Sequence, residues 1–397
     1  MIYIFNPDHD LAIADFSPNY TPPASIVKMK KDLAVLPIWY SYGYKVVADG
    51  VENMHYYENI KRLLPIKSTL ISSDDIINYG DTDLVPWGWN PLIRNKLLKM
   101  GISENELPSI KYLEKLRGYS NRLHAVEILK NIRGENDKFT GESHYITNLD
   151  DVLKYLNSTP GNKVLKMPVS GSGRGLIWIL GEITDKQTDW CRRVIKKQGG
   201  VVAEPVFDKV LDFALEFEIQ SGNIEFVGYS LFKTASSGAY SGNYLMSDAA
   251  IEQRLSSYIP ISFLHHVREL LQLNLSSRFF DYNGYLGIDM MICRDTNESV
   301  DEYKIHPCVE INLRMNMGIV SQVIYNTFID QGSEGFYSVE YFKKEGFALA
   351  FHEKMQREKP LKIDNGKITS GYLALTPVTQ TTNYVAFVLC TTHSGHF

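Results

Sequence analysis

The sequence GYLGIDMMICRDTNESVDEYKIHPCVEINLRMNMG, which runs from Gly284 to Gly318, predicts two β-strands joined by a charged loop. Leu286 to Ile292 is almost wholly apolar, Arg294 to Lys304 is polar, and Pro307 to Met315 has the alternation of an extended strand. The apolar face of such a pair of strands must be covered by a protein core. The stretch therefore predicts a hairpin that packs one face on a core and presents polar side chains on the other.

Polar side chains line one face of the second predicted strand. Successive residues of a strand point to opposite faces, so Glu310, Asn312 and Arg314 share one face. An antiparallel hairpin centred between residues 299 and 300 would place Asp289 opposite Glu310. Two carboxylates and an amide oxygen on one surface suit a hard cation such as Mg²⁺, without which the facing carboxylates would repel each other. The alternative is an amphipathic strand with a solvated polar face.

Composition and charge argue against several classes of protein. A chain of 397 residues predicts two or three domains. The formal net charge of -5 comes with no long basic block, which argues against nucleic acid as a partner. The four cysteines form no CxxC pair, which argues against a zinc knuckle or a disulfide framework. The apolar run before Asn6 is too short for a signal peptide core and no stretch is long enough to span a membrane, so we expect a cytoplasmic protein.

The N-terminal region, residues 1–108, alternates between predicted strands and helices. Strands are predicted at Ile2–Phe5, Tyr44–Ala48, Ser68–Ile71 and Asp83–Trp87. Asn90 is a suitable N-cap for a helix with Pro91 in its first turn. This alternation predicts a domain with a mostly parallel sheet and helices on its faces. His9-Asp10 and Trp87 to Asn90 follow strands and are candidates for substrate contact, with turn formation and core packing as the alternatives.

A glycine-rich loop, Lys166 to Gly175, lies between two predicted strands. Its three glycines at every second position would let the backbone approach a ligand closely and turn N–H groups toward phosphate oxygens. The spacing is neither that of a P-loop nor that of a dinucleotide fingerprint. Lys166 on the incoming strand could place a cation on those phosphates. The alternative is a flexible hairpin tip.

These motifs, taken in order, resemble the ATP-grasp superfamily of carboxylate–amine and carboxylate–thiol ligases. The motifs that carry the resemblance are Lys166 to Gly175, Glu204 to Val206, Gly287 to Asp289 and Glu310 to Arg314. Together they cover residues 109–318. The resemblance implies an α/β protein with α+β ATP-binding lobes, in which an N-terminal parallel-sheet domain precedes a two-lobed ATP-grasp core. The expected ranges are 1–108 for the N-terminal domain, 109–200 for the small lobe and 201–397 for the large lobe with a C-terminal extension.

The resemblance also implies contacts to ATP. Lys166 would bind the α- and β-phosphates, and the backbone of the loop would cover the phosphates as a lid. Glu204 would accept a hydrogen bond from the adenine amino group and the Val206 backbone would bind the ring edge. Asp212 would hold the ribose hydroxyls, with Asp208 as a competitor. The residues expected to form the lid are Ser172, Gly173, Arg174 and Gly175.

The metal and the reacting phosphate have their own expected ligands. By the same resemblance, Asp289, Glu310 and Asn312 would bind two Mg²⁺ ions, or Mn²⁺, and Arg314 would meet the transferred phosphoryl group. An earlier lysine usually contributes to phosphate binding, and here Arg117 or Arg122 is the nearest match. Arginine can bind phosphate in a bidentate way, so this departure is compatible with function. Arg314 and Lys166 are therefore the residues expected to act in catalysis.

The leading hypothesis is an ATP-dependent ligase that activates a small-molecule carboxylate as an acyl phosphate for attack by an amine. One alternative is a small-molecule kinase on the same scaffold. Another is a nucleotide-binding protein without catalysis, although retained metal ligands argue against it. The expected partners are small-molecule acids and amines, with neither nucleic acid nor membrane, and a homodimer is left open. No chemistry is predicted for the chain beyond residue 318.

Overall fold

The computed structural model describes residues 1–80, 82–171, 175–234, 240–295 and 302–392 of the chain. Its internal contacts divide it into two compact units. Unit 1 comprises residues 1–114, 241–250 and 315–397, and unit 2 comprises residues 115–240 and 251–314. The three domain ranges expected from the sequence remain a prediction.

Short strands and helices alternate in the first third of the chain. In chain order they are β1 (Ile2–Ile4), α1 (His9–Asp15), α2 (Ala24–Asp32), β2 (Lys45–Val47), α3 (Val51–Leu63), β3 (Thr69–Ile71), β4 (Leu84–Pro86), α4 (Pro91–Lys99), α5 (Ile110–Tyr119) and α6 (Leu123–Arg133). Short 3₁₀-helices are found at Leu36–Trp39, Asp74–Tyr79 and Glu104–Glu106.

Longer antiparallel strands dominate the rest of the chain. The elements are β5 (His144–Ile146), α7 (Leu149–Ser158), β6 (Lys163–Lys166), β7 (Leu176–Ile179), α8 (Asp185–Gln198), β8 (Val201–Pro205), β9 (Lys209–Gln220), β10 (Asn223–Thr234), β11 (Tyr240–Leu245), α9 (Asp248–Ser256), α10 (Ile261–Arg278), β12 (Gly284–Asp295), β13 (Glu302–Asn312), α11 (Met317–Phe328), β14 (Ser333–Tyr341), α12 (Phe347–Glu358), β15 (Lys362–Asp364), β16 (Lys367–Ala374) and β17 (Tyr384–Thr392). Within the described residues, no helix is both long enough and apolar enough to cross a bilayer.

Unit 1 contains the predicted parallel sheet. Its four strands have the order β3-β2-β1-β4, and all three pairings are parallel. The side chain of Asn90 caps α4 by accepting a hydrogen bond from the Ile93 N–H at 3.0 Å, as the sequence predicts. Buried apolar residues cover one face of this sheet, each contributing about 1.5–3 kcal/mol of burial free energy. They are Ile2, Ile4, Ile71, Ile76, Ile93, Leu97, Ile102 and Leu107. The α/β prediction for this region is confirmed.

Unit 1 also contains antiparallel strands in the order β11-β14-β17-β16-β15. Apolar stretches near residues 372–378 and 384–390 predict two strands in this tail, and the structure has them as β16 and β17. No such stretch predicts β14. The buried positions of β14 include Ser333, Gly335 and Ser338, so the strand lacks the apolar alternation that reveals a half-buried strand.

Unit 2 contains a small antiparallel sheet in the order β5-β8-β6-β7. Helices α7 and α8 cover it, and its core holds Val152, Leu165, Ile179, Cys191, Val194, Val201 and Ala203. The sequence from residue 109 to 132 predicts a long helix with Gly118 as a candidate break, and the structure has two helices, α5 and α6. The chain leaves the helix after Tyr119, one residue later, where the Arg122 N–H donates to the Pro168 carbonyl at 2.8 Å. The break turns Arg122 toward the glycine-rich loop.

The second sheet segment of unit 2 has the order β13-β12-β9-β10, and every pairing is antiparallel. The β12–β13 hairpin pairs Asp289 with Glu310, as expected from the sequence. The predicted hairpin centre, residues 299 and 300, lies outside the described residues. Toward the connecting loop, Met291 pairs with His306. From Asp289 to Met291 is two residues along β12, whereas from Glu310 back to His306 is four residues along β13. This defines a β-bulge at residues 307–309.

Candidate active site

The polar face of β13 carries the residues that the sequence singled out. Glu310 and Asn312 are partly exposed, whereas Ile311 and Leu313 between and after them are buried. Pairing places Glu310 opposite Asp289 and Asn312 opposite Gly287. Paired residues of an antiparallel sheet share a face, so the two carboxylates and the amide lie together.

A third carboxylate, which the sequence analysis missed, lies on the same face. Glu216 on β9 pairs with Gly287 and is almost fully buried. Burial, then Glu310, then Glu216 raise the pKa of Asp289 well above its usual range, and the hydrogen bond from Asn312 opposes this shift. The sequence signal was available: Glu216 and Glu218 are the two charged residues in the otherwise apolar run from Phe213 to Ile219.

Hydrogen bonds fix the carboxylate row. Asn312 Nδ2 donates to Asp289 Oδ2 at 3.0 Å, and Arg314 Nη2 donates to Asn312 Oδ1 at 3.2 Å. Arg314 lies two residues beyond the end of β13 and is partly exposed. The side chains of Asp289, Asn312 and Arg314 therefore form a chain of contacts along one edge of the hairpin.

Arg122 is the arginine that the structure brings to this row. Its Nη2 donates to Glu310 Oε1 at 2.5 Å, and its side chain is only 5% exposed. Its Nη1 donates to the Met167 carbonyl at 2.6 Å and to Ser170 Oγ at 2.8 Å. Arg122 thus joins the base of the glycine-rich loop to a carboxylate of the hairpin. Of the two arginines that the sequence left open, Arg122 has the geometry for a site residue.

The base of the glycine-rich loop is closed by a hydrogen bond from the Met167 N–H to the Gly175 carbonyl at 2.8 Å. Gly175 has a φ of 76°, and a Cβ atom there would lie 2.9 Å from Ser170 Cβ. Both facts require glycine at this position. The lid residues Ser172, Gly173 and Arg174 lie outside the described residues.

Lys166 and Glu204, expected at opposite ends of a nucleotide, form an ion pair with 2.6 Å between Lys166 Nζ and Glu204 Oε2. They are diagonal neighbours on one face, because Glu204 pairs with Val164 and Lys166 pairs with Val202. Ser143 Oγ also donates to Glu204, at 2.9 Å. Burial alone would raise the pKa of Glu204, but Lys166, His306 and Ser143 together hold it below its usual value.

His306 is a second residue that the sequence analysis missed. Its side chain is fully buried, and burial lowers the pKa of its imidazole to about 4 despite the opposing effect of Glu204. The ring of Phe207 meets it edge-on, with 5.6 Å between centroids. Because His306 immediately precedes the bulge on β13, its place beside Glu204 depends on a strand register that the sequence does not reveal.

Two of the expected nucleotide contacts are already engaged within the protein. The Val206 N–H donates to the Asn162 carbonyl at 3.0 Å, so this N–H is not free for a nucleobase and the Val206 carbonyl is the group left to bind a ring edge. Asp212 bonds to Lys209 Nζ and to Thr234 Oγ1, each at 2.6 Å. Its competitor Asp208 is more exposed.

The donor set of the hairpin fits a hard divalent cation. Mg²⁺ in proteins is commonly held by one or two carboxylates, with waters and substrate phosphates completing the shell. Asp289, Glu310 and the oxygen of Asn312 provide this set. Burial first, and then the charges of Glu310 and Glu216, raise the pKa of Asp289, and a bound cation would offset both effects. Among the described residues, no group of three or more His, Cys, Asp or Glu side chains is arranged to hold a metal. Glu216 is therefore not counted as a ligand, and waters and phosphate oxygens would complete the coordination shell.

The chain matches neither a family model nor a curated protein sequence. Solved structures do match it. The complex of biotin carboxylase from Campylobacter jejuni with β-γ-ATP matches with a TM-score of 0.50 and 12% identity, over 98% of this chain and 87% of that chain. N5-carboxyaminoimidazole synthetase from Staphylococcus aureus matches with a TM-score of 0.49 and 14% identity, over 99% of this chain and 93% of that chain. The L-amino acid ligase from Bacillus licheniformis has a TM-score of 0.44 and 14% identity, over 88% of this chain and 93% of that chain.

At this level of identity the likeness is one of fold. The biotin carboxylase match spans nearly the whole chain, including the N-terminal parallel sheet and the antiparallel sheets of unit 2. The motifs quoted from the sequence occur in this fold on the expected strands: Lys166 ends β6, Glu204 lies on β8, and Glu310 lies on β13. The fold of this chain is therefore similar to that of the biotin carboxylase.

Proposed function

We propose that the protein is an ATP- and Mg²⁺-dependent ligase that joins a small-molecule carboxylate to an amine through an acyl phosphate. The observation that carries this proposal is the pairing of Asp289 with Glu310 across the hairpin, beside Asn312 and Arg314. A solvated polar face would not need two facing carboxylates, one of them with a raised pKa. A site for a cation and a phosphate accounts for both the carboxylates and the arginine.

The residues divide between the metal and the nucleotide. Asp289, Glu310 and Asn312 hold Mg²⁺, which when bound neutralises charge on the β- and γ-phosphates. Arg314, partly exposed at the end of the carboxylate row, contacts the transferred phosphoryl group. Arg122, already turned toward the glycine-rich loop, takes the phosphate-binding place that a lysine usually fills.

The remaining contacts bind the nucleoside and the phosphate chain. Lys166 binds the α- and β-phosphates, and the loop that ends at Gly175 covers them. Glu204 accepts from the adenine amino group, and the Val206 carbonyl lies at the ring edge. Asp212 holds the ribose hydroxyls after exchanging one of its present partners. The lid role of Ser172, Gly173 and Arg174 is part of the same proposal.

The reaction needs no nucleophilic side chain. A carboxylate oxygen of the acid attacks the γ-phosphorus of ATP, the bond to the bridging oxygen breaks, and ADP leaves. The amine nitrogen then attacks the carbonyl carbon of the acyl phosphate, inorganic phosphate leaves with the electron pair, and the nitrogen loses a proton. The protein's task is to position the reactants and to neutralise charge on the phosphoryl group.

The test is a screen for ADP release with MgATP over pairs of carboxylates and amines, with each compound also supplied alone. A ligase releases ADP only when both are present, and heavy oxygen from a labelled carboxylate appears in the inorganic phosphate. ADP release with a single acceptor, and label retained in a phosphorylated product, would instead indicate a kinase. Binding of MgATP without turnover on any pair would support the non-catalytic alternative.

A further inference from the structure

His306 is a buried polar residue with no hydrogen-bond partner in the part of the chain that the structure describes. Its side chain is 0% exposed, and both Nδ1 and Nε2 are buried and unpaired. With a pKa lowered to about 4 by burial, the ring is neutral at pH 7 and offers one N–H donor and one acceptor nitrogen. Unpaired buried polar groups are rare in folded proteins, so this one requires an explanation.

The surroundings of His306 are shaped for an imidazole. Gly141 has a φ of 121°, and a Cβ atom there would lie 2.8 Å from His306 Cδ2 and 2.9 Å from Nε2. Phe207 packs its ring edge-on against the other side of the pocket. Ile305, next to His306, accepts from the Thr140 N–H at 2.8 Å, which fixes the strand against the segment that carries Gly141. The fold therefore confines the ring, so that a hydrogen bond to His306 forms when the partner side chain turns toward it.

The neighbour of this ring is Glu204. Gly141, which borders the ring, is two residues from Ser143, whose hydroxyl donates to Glu204, and Phe207, which packs on the ring, is three residues from Glu204. The opposite effects of the two groups on each other's pKa agree with this placement. At present Lys166 donates to one Glu204 oxygen and Ser143 donates to the other. Each carboxylate oxygen can accept a further hydrogen bond. Glu204 therefore has room for one more donor than it now has.

Binding of a nucleotide would create the need for that donor. In the proposed function Lys166 moves to the phosphates, and Glu204 receives the amino group of the base. Glu204 would then lose its cation while remaining 4% exposed. A buried carboxylate that loses its counter-charge is strongly destabilised unless other donors replace it.

We propose that His306 replaces Lys166 as a hydrogen-bond donor to Glu204 when the nucleotide binds, and so acts as a positioning residue for recognition of the base. The inference rests on the proposed function, because it requires Lys166 to be drawn to the phosphates. In the bound state the ring N–H of His306 and the hydroxyl of Ser143 orient the carboxylate toward an exocyclic amino group. The ligand class is thus a purine nucleotide with an amino group on the edge that meets Glu204.

The first experiment measures MgATP affinity by calorimetry for wild type, His306→Leu and His306→Gln. We expect His306→Leu to weaken affinity about tenfold, since it removes a hydrogen bond to a charged group. The amide of His306→Gln keeps an N–H donor and should stay within about threefold of wild type. The control is His124→Leu, which removes another imidazole with an unpaired nitrogen, packed between Tyr119 and Phe279. It should bind MgATP like wild type.

The second experiment observes the ring nitrogens of His306 in the wild-type protein by NMR, with the signals assigned from their loss in His306→Gln. Saturating MgATP should shift them, whereas adenosine, which has no phosphates to draw Lys166 away, should not. Unshifted signals with MgATP, or wild-type affinity in His306→Leu, would overturn the inference. If wild type binds no MgATP, the proposed function fails first, and this result is distinct from a defect seen only in the variants. If His306→Leu does not fold, His306→Gln and the NMR signals decide.

Discussion

At the scale of single residues, Glu310 lies between a like charge and an opposite charge. It faces Asp289, whose pKa it raises, and it bonds to the guanidinium of Arg122. Neutralising Glu310 would relieve its repulsion with Asp289 and would weaken its ion pair with Arg122. These two effects on the free energy of unfolding oppose each other. The negative charge of Glu310 is therefore explained better by binding of a cation and a phosphate than by a contribution to the stability of the fold.

We predict that Glu310→Gln folds with a thermal midpoint close to that of wild type but loses ATP turnover. Glutamine keeps the size of the side chain, and Arg122 retains Met167 and Ser170 as partners. Mg²⁺ affinity should fall because an amide replaces a charged oxygen ligand. Glu225→Gln, an exposed change on β10, is the control and should leave turnover unchanged. Near-normal ADP release by Glu310→Gln would refute the metal site.

His306 gives a prediction for stability against pH. Its pKa is about 4 in the folded protein and about 6.5 when exposed, so below pH 6.5 the unfolded state binds the proton first. The contribution of neutral His306 to the free energy of unfolding is therefore complete above about pH 6.5 and is lost as the pH falls toward 4. We expect His306→Leu and His306→Gln to flatten the fall in thermal midpoint over this window by a similar amount. A slope equal to that of wild type in both variants would contradict the burial of a neutral ring.

At the scale of structural elements, the glycine-rich loop depends on its closing residue. We predict that Gly175→Ala destabilises the protein by about 1 kcal/mol more than Gly161→Ala. Both glycines have positive φ, 76° and 81°, and so share the conformational strain of alanine there. Only Gly175 also lacks space for a Cβ atom, because nothing lies within 4 Å at Gly161. Equal losses in chemical denaturation would show that Ser170 moves aside easily.

The same comparison separates stability from ligand binding. Gly175→Ala should also weaken MgATP affinity, since its loop is proposed to cover the phosphates, whereas Gly161→Ala should not. The measurement is calorimetry on both variants at a temperature where each remains folded. Loss of affinity in Gly161→Ala would indicate a general effect of destabilisation.

Strands and helices could be predicted from the sequence where local residue patterns, such as the burial of only one face, define them. The apolar alternation around Glu310 and the cap at Asn90 each depend on neighbouring residues only, and both appear in the structure as predicted. The contact between Lys166 and Glu204 depends on how β6 pairs with β8, and strand β7 and helix α8 separate these two strands in the chain. No local pattern encodes that pairing. His306 was missed for the same reason, because the bulge sets its position.

At the scale of the whole molecule, the fold predicts a stability that depends on its ligand. We expect MgATP to raise the thermal midpoint, by an amount that corresponds to about 2.7 kcal/mol at a concentration one hundred times the dissociation constant. ATP with a chelator should give a smaller shift, because Asp289 and Glu310 would then face the phosphates without a cation. No shift at millimolar MgATP, together with no heat of binding, would exclude the nucleotide site.

The bulge on β13 has a consequence for how this hairpin can change in length. Asp289 and Met291 are two residues apart, while their partners Glu310 and His306 are four apart, so the excess is two. Side chains alternate with a period of two, and an even excess returns each later residue to its original face. A single inserted or deleted residue would invert every side chain between the bulge and the loop, taking His306 away from Glu204. An insertion of two residues would therefore keep His306 on the face that meets Glu204, whereas an insertion of one residue would turn it to the opposite face.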